Sequence, residues 1–158
     1  MLPTKLHLEI VTPEKRLLSE SVDEVVLPGR EGYLGVLPGH APLLTSLAIG
    51  RVEYRKGAET HYFALAWGFA EVLPEKVTIL AEVAEGAEEI DLDRAKKKKE
   101  EIERAMKEAG SDFDFAKAQA SLQKAIVRIE LADLQIRQRG PGRKGGGGGK
   151  VPPADRGA

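Results

Sequence analysis

The sequence predicts an antiparallel β-sandwich, then an antiparallel two-helix hairpin, then a glycine-rich basic tail. Three observations predict it. Residues 5–84 are short β-prone runs divided by Pro-Gly and Lys-Gly turns. From Asp91 the apolar spacing changes to alternating threes and fours. After Gln138 that periodicity stops and glycine takes over. The boundaries read as 1–86, 87–138 and 139–158.

In the first part, Leu6, Leu8 and Ile10 alternate with His7, Glu9 and Val11, the period of a half-buried strand. Pro13-Glu14-Lys15 is a turn. β-prone runs follow at Leu17-Leu18, Val22–Leu27, Tyr33–Leu37, Leu43–Leu47, Val52–Tyr54, His61–Leu65, Phe69–Leu73 and Val77–Val83. The turns between them include Pro28-Gly29, Pro38-Gly39, Lys56-Gly57 and Pro74-Glu75-Lys76. Strands this short and this close leave no room for parallel crossovers, so antiparallel pairing is expected.

In the second part, Leu92, Ala95, Lys99, Ile102, Met106 and Ala109 step by threes and fours. Gly110-Ser111-Asp112 breaks the run, with Gly110 suited to the helix end and Asp112 to the next cap. Phe115, Ala118, Leu122, Ala125, Ile129, Ala132 and Ile136 then form a second seam. So short a loop pairs the helices as a hairpin. Val127, Leu131 and Leu134 add a second apolar stripe, more than one seam requires. The tail holds eight of the 17 glycines, a composition that cannot bury enough apolar surface to order itself, so disorder is expected there.

Composition narrows the function. Of 158 residues, 42% are hydrophobic and 31% charged, and the net charge of −1 gives no reason to expect nucleic acid. Absent cysteine rules out disulfides, thiol nucleophiles and thiolate metal sites. The N-terminus lacks a signal-peptide core, and no stretch reaches the roughly 18 apolar residues of a membrane span. Membrane association is therefore expected only through a partner. His7, His40 and His61 share no metal-ligand spacing, and no G-x-S-x-G elbow is present. The tail's glycines before Lys150 lack the first glycine and the Ser or Thr of a phosphate loop. No catalytic constellation is expected, and no metal.

The most informative stretch is LPGREGYLGVLPGHAPLL, Leu27 to Leu44. It resembles the signature of the F-type ATP synthase epsilon subunit. Gly68-Phe69-Ala70-Glu71-Val72 is similar to a later strand of the same family, and Ile90-Asp91-Leu92-Asp93-Arg94-Ala95 to the motif that opens its helical part. The three stand in the family's order, and the resemblance spans Leu6 to Arg137. Trp67 departs from it, standing where the family more often has a small residue.

The resemblance implies a sandwich of about ten strands and a helical hairpin, mounted on the rotating central stalk as a non-catalytic subunit. It implies contact with the gamma subunit, the c-ring and the catalytic beta and alpha subunits. Arg30, Glu31 and Gly32 are the candidates for ring contact, and His40, Ala41, Pro42 and Leu43 for gamma contact. With no transit peptide in view, the expected location is the cytoplasmic face of a bacterial inner membrane.

Hairpin register places Arg94 level with Arg128, and Lys117, Lys124 and Arg128 share a basic stripe. That stripe is the candidate for meeting acidic surfaces on the catalytic subunits if the hairpin opens. Some members of the family bind ATP at this place, and Glu85, Asp91, Arg94 and Arg128 match positions of that site. Lys124 and Glu101 depart from it, one losing a bidentate donor and the other adding a negative charge. The expectation is no required cofactor and, at most, ATP as a weak regulatory ligand. A free-standing ATP-binding sensor is the alternative function.

Overall fold

The computed structural model describes residues 2–140, so the tail expected over 139–158 lies, from Pro141 on, outside the described residues. Eight strands are formed: β1 (Leu6–Val11), β2 (Arg16–Val22), β3 (Glu24–Gly29), β4 (Gly32–Val36), β5 (Leu43–Leu47), β6 (Gly50–Lys56), β7 (Glu59–Val72) and β8 (Lys76–Gly86). A short 3-10 turn, Ala87–Glu89, leads to α1 (Leu92–Lys107) and α2 (Phe115–Arg139).

Two of the strands serve both layers of the sandwich. The first half of β7, Glu59–Leu65, pairs with β6, while its second half, Gly68–Val72, pairs with β5. The start of β8 pairs with β1, and β8 follows β7 along nearly its whole length. Halving β7 and β8 converts eight strands into the ten the resemblance implies. The switch in β7 falls at Trp67, with φ 59°, and Gly68, with φ 151°. Trp67 is the single non-glycine with positive φ among the described residues, and left-handed geometry is costly for a bulky side chain.

Between the layers lie Leu6, Leu8, Ile10, Val25, Leu27, Val52, Val72 and Ile79, each fully buried. The alternation read in β1 therefore points its leucines inward as expected. One pairing departs from the antiparallel expectation: β1 and β8 are parallel, in register from His7↔Lys76 to Val11↔Leu80. The crossover argument applies to strands close in sequence. Here the entire sandwich is the connection, so no dedicated crossover is needed.

The hairpin turn also differs in detail. α1 stops at Lys107 with Glu108 as its cap, and Gly110 instead accepts the Phe113 N–H through its carbonyl at 3.3 Å. The cap of α2 is Asp114, not Asp112: its Oδ1 accepts from the Lys117 N–H at 3.0 Å. Phe113 and Phe115 meet edge to face at 4.9 Å across that cap, which favours starting the helix at Phe115. Asp91 caps α1 as read, accepting from the Arg94 N–H at 3.1 Å.

Candidate functional site

The second apolar stripe of α2 has a partner in the sandwich. Val127 and Leu131 are buried with Ala64 of β7 and Ala87 of the 3-10 turn. Ile49, Tyr62, Ile90 and Leu134 close around them. The first seam is used against α1, where Ala95, Ile102, Ala125 and Ala132 are buried. Its ends are open, with Phe115 51% and Ile136 57% exposed. The helix thus lies folded onto the sandwich through a cluster separate from the sandwich core.

Polar contacts flank this cluster. Arg128 Nε stands 2.9 Å from Glu85 Oε2 at the end of β8. The Nε–H is not aimed at that oxygen, which keeps unused accepting capacity, so the pair is an ion pair and not a well-formed hydrogen bond. Further along α2, Gln135 donates to Glu88 at 3.5 Å and Gln138 to the Tyr62 hydroxyl at 3.4 Å.

Where β8 ends and α1 begins, a cleft of about 560 Å³ opens between the hairpin and the sandwich. Glu85, Asp91, Arg94 and Arg128 all line it. The structure therefore brings together the four residues read as a nucleotide site. Glu101 also faces the cleft, as do Glu89, Lys97 and Lys98, which sequence reasoning missed. Arg94, Lys97, Lys98 and Glu101 repeat every three or four residues, and that helical spacing was the signal that could have found the two lysines. Two of the anions are engaged: Asp91 caps α1 and Glu85 faces Arg128. Four acidic and four basic side chains line the cleft, a balance that offers little net attraction to a polyphosphate.

Lys124 lies beside this cleft, in a small recess with Ile49, Ala66 and Val83. Lys117 is two helical turns nearer the start of α2, exposed, and lines neither space.

The two loops read as partner contacts stand at opposite ends of β5. The Arg30 N–H donates to the Ser46 carbonyl at 3.2 Å, which ties the Arg30–Gly32 turn to the end of that strand. Gly32 has φ 132°, and Arg30 and Glu31 are exposed. At the other end the Gly39 N–H donates to the Pro74 carbonyl at 2.7 Å. His40 Nδ1 and the Ala41 carbonyl are 2.7 Å apart, and Ala41, Pro42 and Leu43 are exposed. Between the ends, the outer face of the sheet carries Leu44, Phe69 and Leu80 at 71%, 58% and 55% exposure. Phe69 pairs with Leu80, and Leu80 with Val11, so the apolar side chains run in a row across three strands. Sequence reading missed this row, because alternation alone does not say which apolar positions of a two-layer strand face out.

Among the described residues no group of His, Asp or Glu is arranged to hold a metal ion, and no helix is long and apolar enough to cross a membrane.

Residues 5–87 match the family described as ATP synthase, Delta/Epsilon chain, beta-sandwich domain, and residues 88–133 match its long alpha-helix domain. The ATP synthase epsilon chain of Syntrophobacter fumaroxidans is 51% identical over 129 residues, 82% of this chain and 96% of the relative. That of Nitratidesulfovibrio vulgaris is 52% identical over 126 residues, 80% and 94% of the two chains. A chain in the cryo-EM structure of the Euglena gracilis mitochondrial ATP synthase superposes with TM-score 0.64 at 25% identity, covering 87% of this chain and 84% of that one. A chain of the Tetrahymena thermophila enzyme shares the fold, with TM-score 0.54 at 15% identity over 85% of this chain and 98% of its own. Both domains match in order and span nearly all the described residues, so the chain belongs to the ATP synthase delta/epsilon chain family.

Proposed function

We propose that the chain is the epsilon subunit of a bacterial F-type ATP synthase, a non-catalytic part of the central stalk. Its sandwich couples the gamma subunit to the c-ring, and its helices restrain ATP hydrolysis by changing position. One observation carries the reading. α2 is held down by the small cluster around Leu131, which shares no residue with the sandwich core, so the hairpin can leave while the sandwich stays folded. Once open, the helices present the Phe115–Ile136 seam, with Lys117, Lys124 and Arg128, to the beta and alpha subunits.

The exposed pair Phe69 and Leu80, with exposed Leu44 on the neighbouring strand β5, supports docking of the sandwich, since an apolar surface patch of this kind marks an interface. His40, Ala41, Pro42 and Leu43 at its margin are the gamma candidates, and Arg30, Glu31 and Gly32 face the ring. The chain reaches the cytoplasmic face of the membrane through the complex.

The test uses a reconstituted complex and the absence of native cysteine. Ala64→Cys and Val127→Cys, cross-linked, hold the hairpin down. ATP hydrolysis should then run faster than in the uncross-linked control. An unchanged rate in an intact complex refutes the brake. Failure of the chain to co-purify with the complex refutes the stalk assignment itself.

The cleft between hairpin and sandwich favours a second reading, a nucleotide sensor, because it gathers Glu85, Asp91, Arg94 and Arg128. Its balanced charge and Glu101 make ATP a weak ligand at most. Calorimetry on the full chain distinguishes the two: tight ATP binding without the complex supports the sensor.

A further inference from the structure

A second cleft lies on the far side of the Ala87–Glu89 turn, about 300 Å³ in volume. Its walls combine aromatic and acidic side chains: Tyr54, His61, Tyr62 and Phe63 with Glu20, Glu88 and Glu89. Tyr54 and His61 stack at 5.1 Å, and Phe63 stands 6.3 Å from Tyr54. Lys56 meets Glu20 at 3.2 Å. Glu88 receives only the long Gln135 contact and Glu89 is exposed. Burial first, and then the carboxylates of Glu20 and Glu88, push the Tyr54 phenol up to about 12. Carboxylates beside aromatic faces suit one kind of guest, an Arg or Lys side chain, which takes a charge-assisted hydrogen bond and a ring face together.

The end of α2 lies against this cleft. Gln135 lines it, and Gln138 touches Tyr62. At Gly140 the helix stops with φ 68°, a conformation that turns the chain out of the helical path. The sequence then reads Pro-Gly-Arg143-Lys144, and residues 141–158 carry Arg143, Lys144, Lys150 and Arg156 against a single acid, Asp155. From Gln135 to Gly140 the helix advances roughly 7.5 Å. Arg143 is three residues further, roughly 10 Å of extended chain. The cleft is within reach of the segment, and their charges are opposite.

We propose that the C-terminal segment beginning at Pro141 docks on this cleft, with Arg143 and Lys144 against Glu88, Glu89 and the neighbouring rings, and so latches α2 to the sandwich. The segment lies outside the part of the chain that the family description matches, which ends at residue 133. The latch adds a second hold on α2 beyond Leu131. It needs no other subunit, so its test is independent of the stalk assignment.

The experiment is hydrogen exchange followed by NMR on the isolated full chain. Arg143→Ala with Lys144→Ala should speed exchange of the α2 amides from Leu131 to Arg139 by roughly two- to fivefold, the range of an exposed ion pair. Glu88→Gln with Glu89→Gln should do the same. Because Glu88 also holds Gln135, the deciding readout is the fourfold variant, which should exchange no faster than either double variant. Arg143→Lys should restore part of the protection. Unchanged exchange in the Arg143→Ala, Lys144→Ala chain overturns the latch, and so do effects that simply multiply in the fourfold variant.

Discussion

Leu131→Ala should release the hairpin and spare the sandwich. Leu131 is 0% exposed and is the largest fully buried side chain of the cluster that joins α2 to the sandwich. Fully burying a leucine contributes about 1.5–3 kcal/mol, and truncating one in a tight core costs about 2–5 kcal/mol. A helix lying on a surface can shift to close part of the gap, which places this site near the low end, about 2–3 kcal/mol. Since about 1.4 kcal/mol is tenfold, the docked-to-open ratio should fall roughly 30- to 150-fold. Alanine is the better helix former, so the loss cannot come from the helix itself.

The assay is amide exchange, comparing α2 with strand amides at Leu8 and Ile79, which belong to the other cluster. Ile136→Ala, at a site 57% exposed, is the control and should change little. Equal loss of protection at Leu8, Ile79 and α2 would refute the reasoning, because hairpin and sandwich would then open as one unit. So would a change in α2 below about threefold, since the stripe would then not be what holds the helix.

Three further outcomes follow from single sites. Gly68→Ala should abolish a stable fold or cost more than about 3 kcal/mol in urea unfolding, because φ is 151° and an added Cβ would lie 2.1 Å from the Leu80 carbonyl oxygen; a loss below about 1 kcal/mol contradicts the backbone argument. Tyr54 gives a pH signature. Its folded value of about 12 exceeds the ordinary value near 10, so above pH ~10 the unfolded chain releases a proton that the folded chain keeps. Its stabilisation is complete below pH ~10 and is lost as pH rises toward 12, at about 1.4 kcal/mol per pH unit. Unfolding of Tyr54→Phe between pH ~10 and ~12 should show a slope shallower by up to about one proton, and equal slopes refute it. In the hairpin cleft, Glu101→Arg replaces an anion with a cation beside Arg94 and Arg128 and should raise ATP affinity at least about tenfold by calorimetry. No gain would mean that the cleft's charge balance does not set nucleotide affinity.

The fold was legible where periodicity and turn chemistry agree. The alternation in β1, the Pro-Gly turns and the 3-4 seams located most of the elements, because each reports local geometry. What stayed hidden was nonlocal. The parallel β1–β8 pair joins the two ends of the sandwich, and nothing within either strand encodes that meeting. The shift of the cap from Asp112 to Asp114 depended on Phe113 and Phe115 meeting, a contact between side chains and not a pattern. Around the candidate site, register predicted that Arg94 and Arg128 share a space, and they do. Register could not show that Asp91 and Glu85 are already engaged there, or that Phe69 and Leu80 face out while Ala70 and Ile79 face in.

The surplus stripe on α2 is taken up by the sandwich, and the proposed opening would set a second surface in competition with it. Val127 and Leu131 are buried against the sandwich in the folded-down hairpin, so any partner that takes α2 away must offset their exposure. At roughly 1.5–3 kcal/mol for each large apolar side chain, the hold is a few kcal/mol, within the range that a second binding surface supplies. A deeper cluster would fix the hairpin permanently, and a shallower one would leave it open in the isolated chain. The Arg128–Glu85 pair works the same way. It is about a third exposed, adds little to the hold, and under the proposed opening would free a guanidinium for another carboxylate. The physical requirement for a moving helix is therefore met by what the interface lacks: among the described residues it holds no buried polar network and has one fully buried large side chain, Leu131.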